Sequence, residues 1–282
     1  MLDIWILFAI ISGIFVSLRE LYIKKYIKQS PEIISFTTRF YGSFVFIFIA
    51  YQGNIKINNI PLFIGITLLT VLITAFTTLI RLRLIKAEDL SLTTPWLGAV
   101  PLFVVLWSVI LYKDVPSIVA LIGIVLVCIG AFTINMQGKR LQVKKASIWM
   151  LFIAVLLGFT TSVDKIAIGA SSAVTYSLIW TIASAGLMYV VAKKKTKQVI
   201  IVDKHLMMQA VLWVAEFLFQ MLAIQKVSQM SSGPTYVKTL TMLNIVITTI
   251  VSSILFKEKD RRKRILSAIM IFVGAAIVVI YR

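Results

Sequence analysis

The stretch Ile110-Leu111-Tyr112-Lys113-Asp114 recurs near the end of the chain as Ile254-Leu255-Phe256-Lys257-Glu258. A Gly130-Ala131 pair follows the first copy and a Gly274-Ala275 pair follows the second, and in both copies the glycine comes 17 positions after the lysine. In each copy an apolar helix of membrane length runs into a Lys-acid turn, and a second apolar helix follows. This preserved order predicts two copies of one duplicated unit.

The composition predicts a membrane protein with several spans. Of 282 residues, 60% are hydrophobic and 14% are charged, and the mean hydropathy is +0.97. A soluble domain of this size could not bury so much apolar surface. The net charge of +18 sits mostly in short loops between apolar runs, so we expect membrane lipids, and the anionic inner leaflet in particular, as partners, and no nucleic acid.

Several classes of site are excluded by residue counts. Cys128 and His205 are the only cysteine and histidine, so an intrachain disulfide and a His-rich metal centre are excluded, and a Ser-His-Asp triad could be built only around His205. Phosphate-binding and dinucleotide-binding glycine loops are absent from the sequence, so we expect no cofactor and a gradient as the driving force. Asp3 replaces the basic start of a secretory signal, which favours a first transmembrane span.

The apolar runs predict the architecture. Cutting the chain at charged and Gly/Pro/Asn turns gives ten runs of about the 20 residues that a spanning helix needs. The polar linker from Gln137 to Lys145 divides them five and five, which predicts an all-α membrane protein whose two repeats occupy residues 1–137 and 146–282. The predicted spans are 4–23, 31–51, 60–80, 91–112, 116–136, 146–168, 172–192, 205–225, 233–256 and 264–281.

The loop charges predict the orientation. The odd-numbered loops hold 21 of the 29 lysines and arginines, whereas the even-numbered loops and the termini hold four. By the positive-inside rule, the odd-numbered loops are cytoplasmic and both termini lie outside. Because each repeat has an odd number of spans, the two repeats must be inverted, and inverted repeats enclose a central site reached alternately from each side.

The two copies, Pro101 to Phe132 and Leu243 to Ala276, resemble the EamA-type repeat of the drug/metabolite transporter superfamily. Further matches are Ser30-Pro31 leading to Arg39, and Asp164 to Ala167 closing the sixth span. The resemblance implies ten transmembrane helices as two inverted five-helix repeats. It also implies a secondary transporter whose substrate sits in a basket formed by the first four spans of each half.

Two features depart from this family pattern. Asp114 replaces the commoner glutamate in the first Lys-acid turn. The ninth span is also longer than its counterpart, because 26 positions separate Ser231 from Lys257 and only 22 separate Ser91 from Lys113. We therefore expect one extra helical turn in the ninth span.

Glu216 is the first candidate for substrate binding. It lies near the middle of the eighth span and shares a helical face with Trp213 and Gln220. An ionisable group at this depth is costly and is justified by a partner, a substrate or a proton, so protons are a candidate coupling ion. Lys238, one turn into the ninth span after Pro234, could bind a substrate carboxylate, pair with Glu216, or extend to the outer surface.

Arg39 and several aromatic residues complete the candidate binding site. Arg39 lies nearly two turns into the second span, where a substrate contact and an internal ion pair are both open. Trp96, Trp180 and Tyr236, together with Trp213, could provide aromatic walls for an amine or an aromatic side chain. Tryptophan is also common at membrane interfaces, which is the competing explanation.

Two adjacent charge pairs occupy comparable places in the repeats. Arg19-Glu20 lies in the first span and Asp164-Lys165 in the sixth. Neighbouring residues point about 100° apart on a helix, so neither pair can neutralise itself. We expect gate or rim ion pairs, with an interfacial location and direct substrate contact as the alternatives.

These features predict a secondary active transporter of small metabolites in a prokaryotic cytoplasmic membrane, working by alternating access. An exporter of amino acids or related zwitterions is favoured, because Glu216 and Lys238 would bind an ammonium and a carboxylate. The alternative is a transporter of organic cations such as choline-like amines or drugs, bound by Glu216 among tryptophans. A membrane enzyme is disfavoured by the single histidine and cysteine, so we expect no enzymatic activity; a channel would conduct without saturating.

Overall fold

A computed structural model describes residues 3–51, 55–88, 94–134, 136–137, 140–141, 145–196, 199, 201–255 and 261–282. These residues form an all-helical fold, apart from a small antiparallel pairing of Met136–Gln137 with Arg140–Leu141. That pairing lies in the linker predicted between the two halves. The second Lys-acid turn, Phe256-Lys257-Glu258, lies outside the described residues.

The described ranges contain eleven α-helices and one 3₁₀ helix. In chain order they are α1 (Ile4–Tyr26), α2 (Pro31–Tyr51), α3 (Ile60–Ala87), the 3₁₀ helix (Thr94–Ala99), α4 (Val100–Tyr112), α5 (Ile118–Ile134), α6 (Lys145–Gly169), α7 (Ala173–Lys193), α8 (Lys204–Lys226), α9 (Gly233–Thr241), α10 (Leu243–Leu255) and α11 (Arg261–Tyr281).

Six of the described helices, α1, α2, α3, α6, α7 and α8, are long and apolar enough to cross a membrane. Shorter apolar helical segments run over Trp96–Tyr112, Ile118–Thr133 and Leu266–Tyr281. Large apolar side chains such as Leu72 and Phe48 are exposed on the outer faces, where lipid would cover them. The protein is therefore a multi-pass membrane protein; the count of ten spans stays a prediction.

Helix α3 is longer than predicted. It ends at Ala87, seven residues beyond the predicted end at Ile80. The prediction was wrong because it assigned three cations to a loop, whereas each of them is bound by an acceptor from α1, α2 or the turn between them, which stabilises the extra turns. The partners are Glu20 for Arg81, Glu32 for Arg83 and the carbonyl oxygen of Gln29 for Lys86.

The ninth predicted span is divided. Helix α9 ends at Thr241 and α10 begins at Leu243, with Met242 between them. The Oγ1 atoms of Thr239 and Thr241 each donate to a carbonyl oxygen four residues back, at 2.8 Å; such bonds compete with the helical ladder and bend helices. The single helix predicted for 233–256 is corrected in this way, and the extra turn counted to Lys257 falls outside the described residues.

One end of the molecule, which we call the basic end, gathers the α1–α2 connection, the end of α3 and the α7–α8 connection. Lys24 Nζ donates to the carbonyl oxygens of Ile85 and Glu88, at 3.0 and 2.7 Å. Lys195 Nζ lies 2.7 Å from Oε1 of Glu32, a carboxylate that is almost fully buried. These contacts bring the first, third and seventh loops together.

The opposite end gathers the even-numbered loops and the termini. The backbone N–H of Asn58 donates to the carbonyl oxygen of Ala170 at 2.7 Å. Ser117 Oγ donates to the carbonyl oxygen of Tyr281 at 2.6 Å, and Arg282 pairs with Asp3. The described even-numbered loops therefore lie on one side of the helices, away from the basic end.

The helices pack in a regular scheme. Helix α1 packs on α8 and on α9 and α10, while α6 packs on α3 and on the 3₁₀ helix and α4. Helix α2 packs on α7, and α5 packs on α11. The last pair approaches closely at Gly123 and Gly274, where a Cβ on either glycine would lie 2.7 or 2.5 Å from the other's carbonyl oxygen. The remaining helices thus surround a central space, with α5 and α11 together at the edge.

Candidate functional site

A cavity of about 120 Å³ lies between α1, α2, α3, α6, α7, α8 and α9. Its described lining includes eight of the twelve residues selected from the sequence: Arg19, Arg39, Asp164, Trp180, Trp213, Glu216, Gln220 and Lys238. The other four, Glu20, Trp96, Lys165 and Tyr236, are not among its lining residues.

Glu216 on α8 is bound by Arg19 on α1. Arg19 Nη2 donates to Oε1 at 3.1 Å and Nε donates to Oε2, and only 9% and 14% of the two side chains are exposed. We call this the α1–α8 ion pair. Ser12 Oγ also donates to the carbonyl oxygen of Glu216, at 3.0 Å. The sequence suggested Lys238 or substrate as the partner of Glu216; the structure places Arg19 there.

Glu20, next to Arg19 in sequence, binds a different partner. Its carboxylate is almost fully buried and accepts from Nη2 of Arg81 on α3. We call this the α1–α3 ion pair. Arg81 lines the cavity, although its sequence position next to the predicted end of a span indicated only a loop cation. The signal that could have indicated this role is Glu20, an acid on α1 at a depth similar to that of Arg81.

Asp164 on α6 is held by a chain of hydroxyl groups. Tyr176 Oη donates to Asp164 Oδ1 at 2.5 Å and lies 3.0 Å from Thr70 Oγ1. Trp180 Nε1 donates to the same threonine oxygen at 3.2 Å. This hydroxyl bridge joins α6, α7 and α3, and Tyr176, at its centre, is completely buried. Tyr176 was not selected from the sequence, because a tyrosine in an apolar span resembles ordinary packing.

Lys165, the residue after Asp164, contacts groups at the end of the molecule opposite the basic end. Its Nζ is 3.3 Å from Oδ2 of Asp114 and 3.4 Å from the carbonyl oxygen of Met230. Asp114 is the acid of the first Lys-acid turn, and Lys113 before it adopts a left-handed conformation with φ 58° that ends α4. The first copy of the turn therefore supplies a helix end and an ion-pair acceptor that ties the α4–α5 connection to α6.

Lys238 is a cation of the cavity whose hydrogen-bond partner is neutral. Its Nζ donates to Oε1 of Gln220 at 3.3 Å, and no described carboxylate forms an ion pair with it. Helix α9 places it there: the left-handed Ser232 precedes the helix, and Pro234 lies in its first turn. A cation in this setting can bind an anionic group of a solute.

Arg39 on α2 is the most deeply buried cation of the cavity, with 2% of the residue exposed. Its guanidinium lies over the rings of Trp180 and Trp213, 5.6 and 5.7 Å from their centroids. Those two rings stack at 6.1 Å, and Phe217 stacks on Trp213 at 5.2 Å. Together they form the aromatic wall of the cavity.

Trp96 and Tyr236 have other surroundings. Trp96 lies in the 3₁₀ helix, is 6% exposed and packs edge-on against Phe132 with ring centroids 5.2 Å apart. Tyr236 is 3% exposed within the main apolar core. The helix faces that carry these rings point into protein packing, so neither is an aromatic wall of this cavity.

The threonines of the third span divide between two roles. Thr74, Thr77 and Thr78 line the cavity, whereas Thr70 belongs to the hydroxyl bridge. On α2, Thr38 donates to Oε1 of Gln209 on α8, and both residues also line the cavity. A stripe of threonines in a sequence is more typical of helix packing than of contact with a solute, so a polar cavity wall was the less favoured interpretation of the sequence.

The comparisons with known proteins agree with this architecture. A search among curated proteins found no match. A solved crystal structure aligns with 97% of this chain and 95% of its own, with a TM-score of 0.65 and 12% sequence identity; at that identity the likeness concerns the fold alone. Residues 3–136 match the model of the EamA-like transporter family, which confirms the resemblance recognised in the sequence. Residues 3–136 are thus similar to the EamA-like transporter family, which belongs to the drug/metabolite transporter superfamily.

Proposed function

We propose that this membrane transporter of small molecules carries amino acids and related zwitterions by alternating access. The observation on which this depends is the juxtaposition of Lys238 and Asp164 in the lining of one cavity. Lys238 can donate to a carboxylate, and an ammonium group can bind the Asp164 oxygen that Tyr176 does not occupy. The transported molecule would then bridge α9 and α6.

The cavity suits a molecule of amino-acid size. Sites for drug-sized ligands usually measure about 300–1,000 Å³, whereas this cavity measures about 120 Å³. Its polar lining residues, including Gln209 and Gln220, can bind the polar groups of a small solute. Both properties favour a metabolite over a drug.

Organic cations, the alternative suggested by the sequence, lose Glu216 and the tryptophan faces that the sequence assigned to their binding. Glu216 is already neutralised by Arg19. The faces of Trp180 and Trp213 are covered by the guanidinium of Arg39, so a quaternary amine would have to displace a fixed cation to reach them. The zwitterion is therefore the substrate class that the geometry supports best.

The packing scheme supports two inverted five-helix repeats, residues 1–137 and 146–282, and a total of ten spans. The contacts of α1 with α8 and with α9–α10 correspond to those of α6 with α3 and with the 3₁₀ helix and α4. Exchanging equivalent helices of the two halves also maps the α2–α7 and α5–α11 pairs onto themselves. Such a two-fold arrangement around a central site is the usual basis of alternating access.

The extent of the cavity supports export. Its lining includes Ser35 near the start of α2, Ile85 near the end of α3 and Gln209 near the start of α8, which are all close to the basic end. We assign that end to the cytoplasm by the positive-inside rule, in a prokaryotic cytoplasmic membrane. The cavity would then be loaded from the cytoplasm, while the hydroxyl bridge separates it from the outside.

Protons remain the candidate coupling ion. Glu216 was expected to carry the proton, but its carboxylate is engaged by Arg19. A proton-coupled cycle would therefore have to open the α1–α8 ion pair when Glu216 is protonated. Membrane lipids are the proposed partners of the apolar outer faces.

The function is tested by thermal stabilisation of the purified protein in detergent with amino acids, quaternary amines, nucleosides and sugars. A ligand that binds only the folded state raises the melting temperature according to its concentration and Kd. We expect amino acids to stabilise the wild type and the control Lys226→Met, which removes an exposed lysine, but not Lys238→Met. Stabilisation by an amine or a sugar, with none by amino acids, would reject the proposed substrate class.

A further inference from the structure

Arg39 is fixed in the cavity by neutral oxygen atoms. Nε donates to Ser184 Oγ at 2.5 Å, and Nη1 donates to the carbonyl oxygen and Oγ of Ser35 at 3.0 and 2.8 Å. Nη2 donates to Thr78 Oγ1 at 3.2 Å. A guanidinium has five N–H groups, so these bonds leave one N–H on Nη2 without a partner among the described residues.

The charge of Arg39 has no carboxylate partner in the described part of the chain. Its neighbours are hydroxyl groups, a carbonyl oxygen and two indole rings. Hydrogen bonds and ring faces solvate a cation but do not cancel its charge, and buried arginines are rarely found unless they are paired. A site that keeps such a cation buried is suited to an anionic group that arrives with a ligand.

The charges around the cavity do not balance. The α1–α8 and α1–α3 ion pairs each cancel internally. Among the described lining residues, this leaves two cations, Arg39 and Lys238, and one acid, Asp164. A zwitterion of zero net charge would leave one positive charge uncompensated in a region of low dielectric, whereas a ligand with a net charge of −1 would cancel it.

We propose that Arg39 binds a second acidic group of the substrate, so that the transported molecule is an amino acid with an acidic side chain. This inference rests on the proposed function, in which Lys238 binds the α-carboxylate and Asp164 the ammonium. Arg39 then supplies the third charged contact. Because Lys238 and Arg39 lie on different helices, α9 and α2, a substrate with two carboxylates joins the two halves of the chain.

The polar surroundings of Arg39 fit this assignment. The α2 and α3 side of the cavity is lined by hydroxyl groups, including Thr38, Thr74 and Thr77. Thr38 and Thr77 already donate, to Oε1 of Gln209 and to the carbonyl oxygen of Thr74, so among these three the hydroxyl of Thr74 is the group that can donate to a carboxylate that the guanidinium holds. An aliphatic side chain at the same place would leave that hydroxyl without a ligand partner, which costs binding free energy.

The test compares isosteric pairs that differ in side-chain charge. Kd values for glutamate, glutamine, aspartate and asparagine are measured by thermal stabilisation of the full-length protein in detergent. The variants are Arg39→Gln and a matched control, Arg83→Gln, which also removes one positive charge but lies outside the cavity lining and has a side chain 53% exposed.

We expect the wild type and Arg83→Gln to bind glutamate about 10- to 100-fold more tightly than glutamine, as one charged hydrogen-bonded contact allows. In Arg39→Gln the preference should disappear, while the Kd for glutamine changes by less than about 3-fold. An equal loss of affinity for glutamate and glutamine would mean that Arg39 only shapes the cavity, and would reject the inference.

If Arg39→Gln fails to fold, the ratio of the wild-type Kd values for glutamine and glutamate still tests the acidic-substrate inference. Equal affinities for glutamate and glutamine in the wild type would overturn the acidic-substrate inference and leave the amino-acid function standing. Failure of every amino acid in the panel to bind would instead overturn the proposed function itself. The two failures are therefore distinguishable in one set of measurements.

Discussion

Arg19 and Glu216 form a two-point ion pair between α1 and α8, with Nη2 of the arginine 3.1 Å from Oε1 of the carboxylate and Nε donating to Oε2. Both side chains are largely buried. In the proposed architecture these helices belong to different halves of the chain. The pair therefore acts as an internal contact between the halves at the cavity wall, and its two charges are not free for a substrate.

Removing one charge of this pair should destabilise the protein strongly. Glu216→Gln leaves Arg19 as an uncompensated buried cation, which typically costs about 3–5 kcal/mol. The double variant Arg19→Met with Glu216→Leu removes both charges and should recover most of this loss. Melting temperatures in detergent measure both effects. A double variant less stable than Glu216→Gln would show that the pair is not the main role of these residues.

A comparison of Glu216→Gln with Lys238→Met distinguishes a structural role of Glu216 from a role in substrate binding. Because Glu216 is occupied by Arg19, we expect Glu216→Gln, where it folds, to weaken amino-acid binding less than Lys238→Met does. Kd values from ligand-dependent melting temperatures give the comparison. The reverse order would return Glu216 to the role of ammonium acceptor that its sequence position suggested.

The sequence predicts the depth of charged residues better than their partners. Arg19, Arg39, Asp164, Glu216 and Lys238 stand out in the sequence because ionisable groups inside apolar spans are rare, and all five line the cavity. Which groups meet depends on helix rotation and on neighbours distant in sequence. The choice of Arg19 for Glu216 over Lys238, 22 positions away along the chain, follows from the packing of α1 on α8.

Local helix geometry was the other feature that the sequence predicted incorrectly. The end of α3 was predicted too early, because Arg81 resembles a loop cation until Glu20 is known to lie beside it. Trp96 was assigned to a regular helix, but its 3₁₀ segment turns the ring into the core against Phe132. Both differences arise from contacts between segments more than 30 residues apart, which periodicity along one segment does not contain.

The contact between α5 and α11 gives a third prediction. A Cβ on Gly123 would lie 2.7 Å from the carbonyl oxygen of Gly274, and a backbone atom cannot move aside as a flexible side chain can. We expect Gly123→Ala and Gly274→Ala to lower stability by about 1–3 kcal/mol each through overpacking. Gly65→Ala on α3 is the control, because its Cβ would meet open space; it should be neutral or slightly stabilising.

Thermal unfolding in detergent distinguishes these variants. Equal melting temperatures for Gly65→Ala and Gly274→Ala would contradict a tight α5–α11 contact. A lower melting temperature that is confined to Gly123→Ala and Gly274→Ala would support this contact. The double alanine variant should not be additive, because both substitutions strain the same approach of two backbones.

The proposed orientation predicts one-sided labelling. In a Cys128→Ala background, Lys194→Cys at the basic end and Ile55→Cys at the opposite end place a thiol at exposed positions. A membrane-impermeant maleimide added to intact cells should label Ile55→Cys. It should label Lys194→Cys only after the cells are permeabilised. The opposite pattern would invert the orientation and, with it, the direction of loading proposed here.

The hydroxyl bridge predicts how the cavity is closed toward the opposite end. Tyr176→Phe removes the donor to Asp164 and the contact with Thr70, while the ring keeps its packing. The loss of about 1 kcal/mol of hydrogen bonding should raise the population of conformations open at that end about fivefold. The readout is the rate at which an impermeant maleimide labels Thr161→Cys, a cavity position, from outside intact cells.

Tyr189→Phe is the matched control for this experiment, because Tyr189 lies on the same helix with 38% of its surface exposed and no part in the bridge. We expect it to leave the labelling of Thr161→Cys slow, again in the Cys128→Ala background. Asp164→Asn keeps one acceptor for Tyr176 and should have an intermediate effect. If Tyr176→Phe labels no faster than Tyr189→Phe, the bridge holds helices together without gating the cavity.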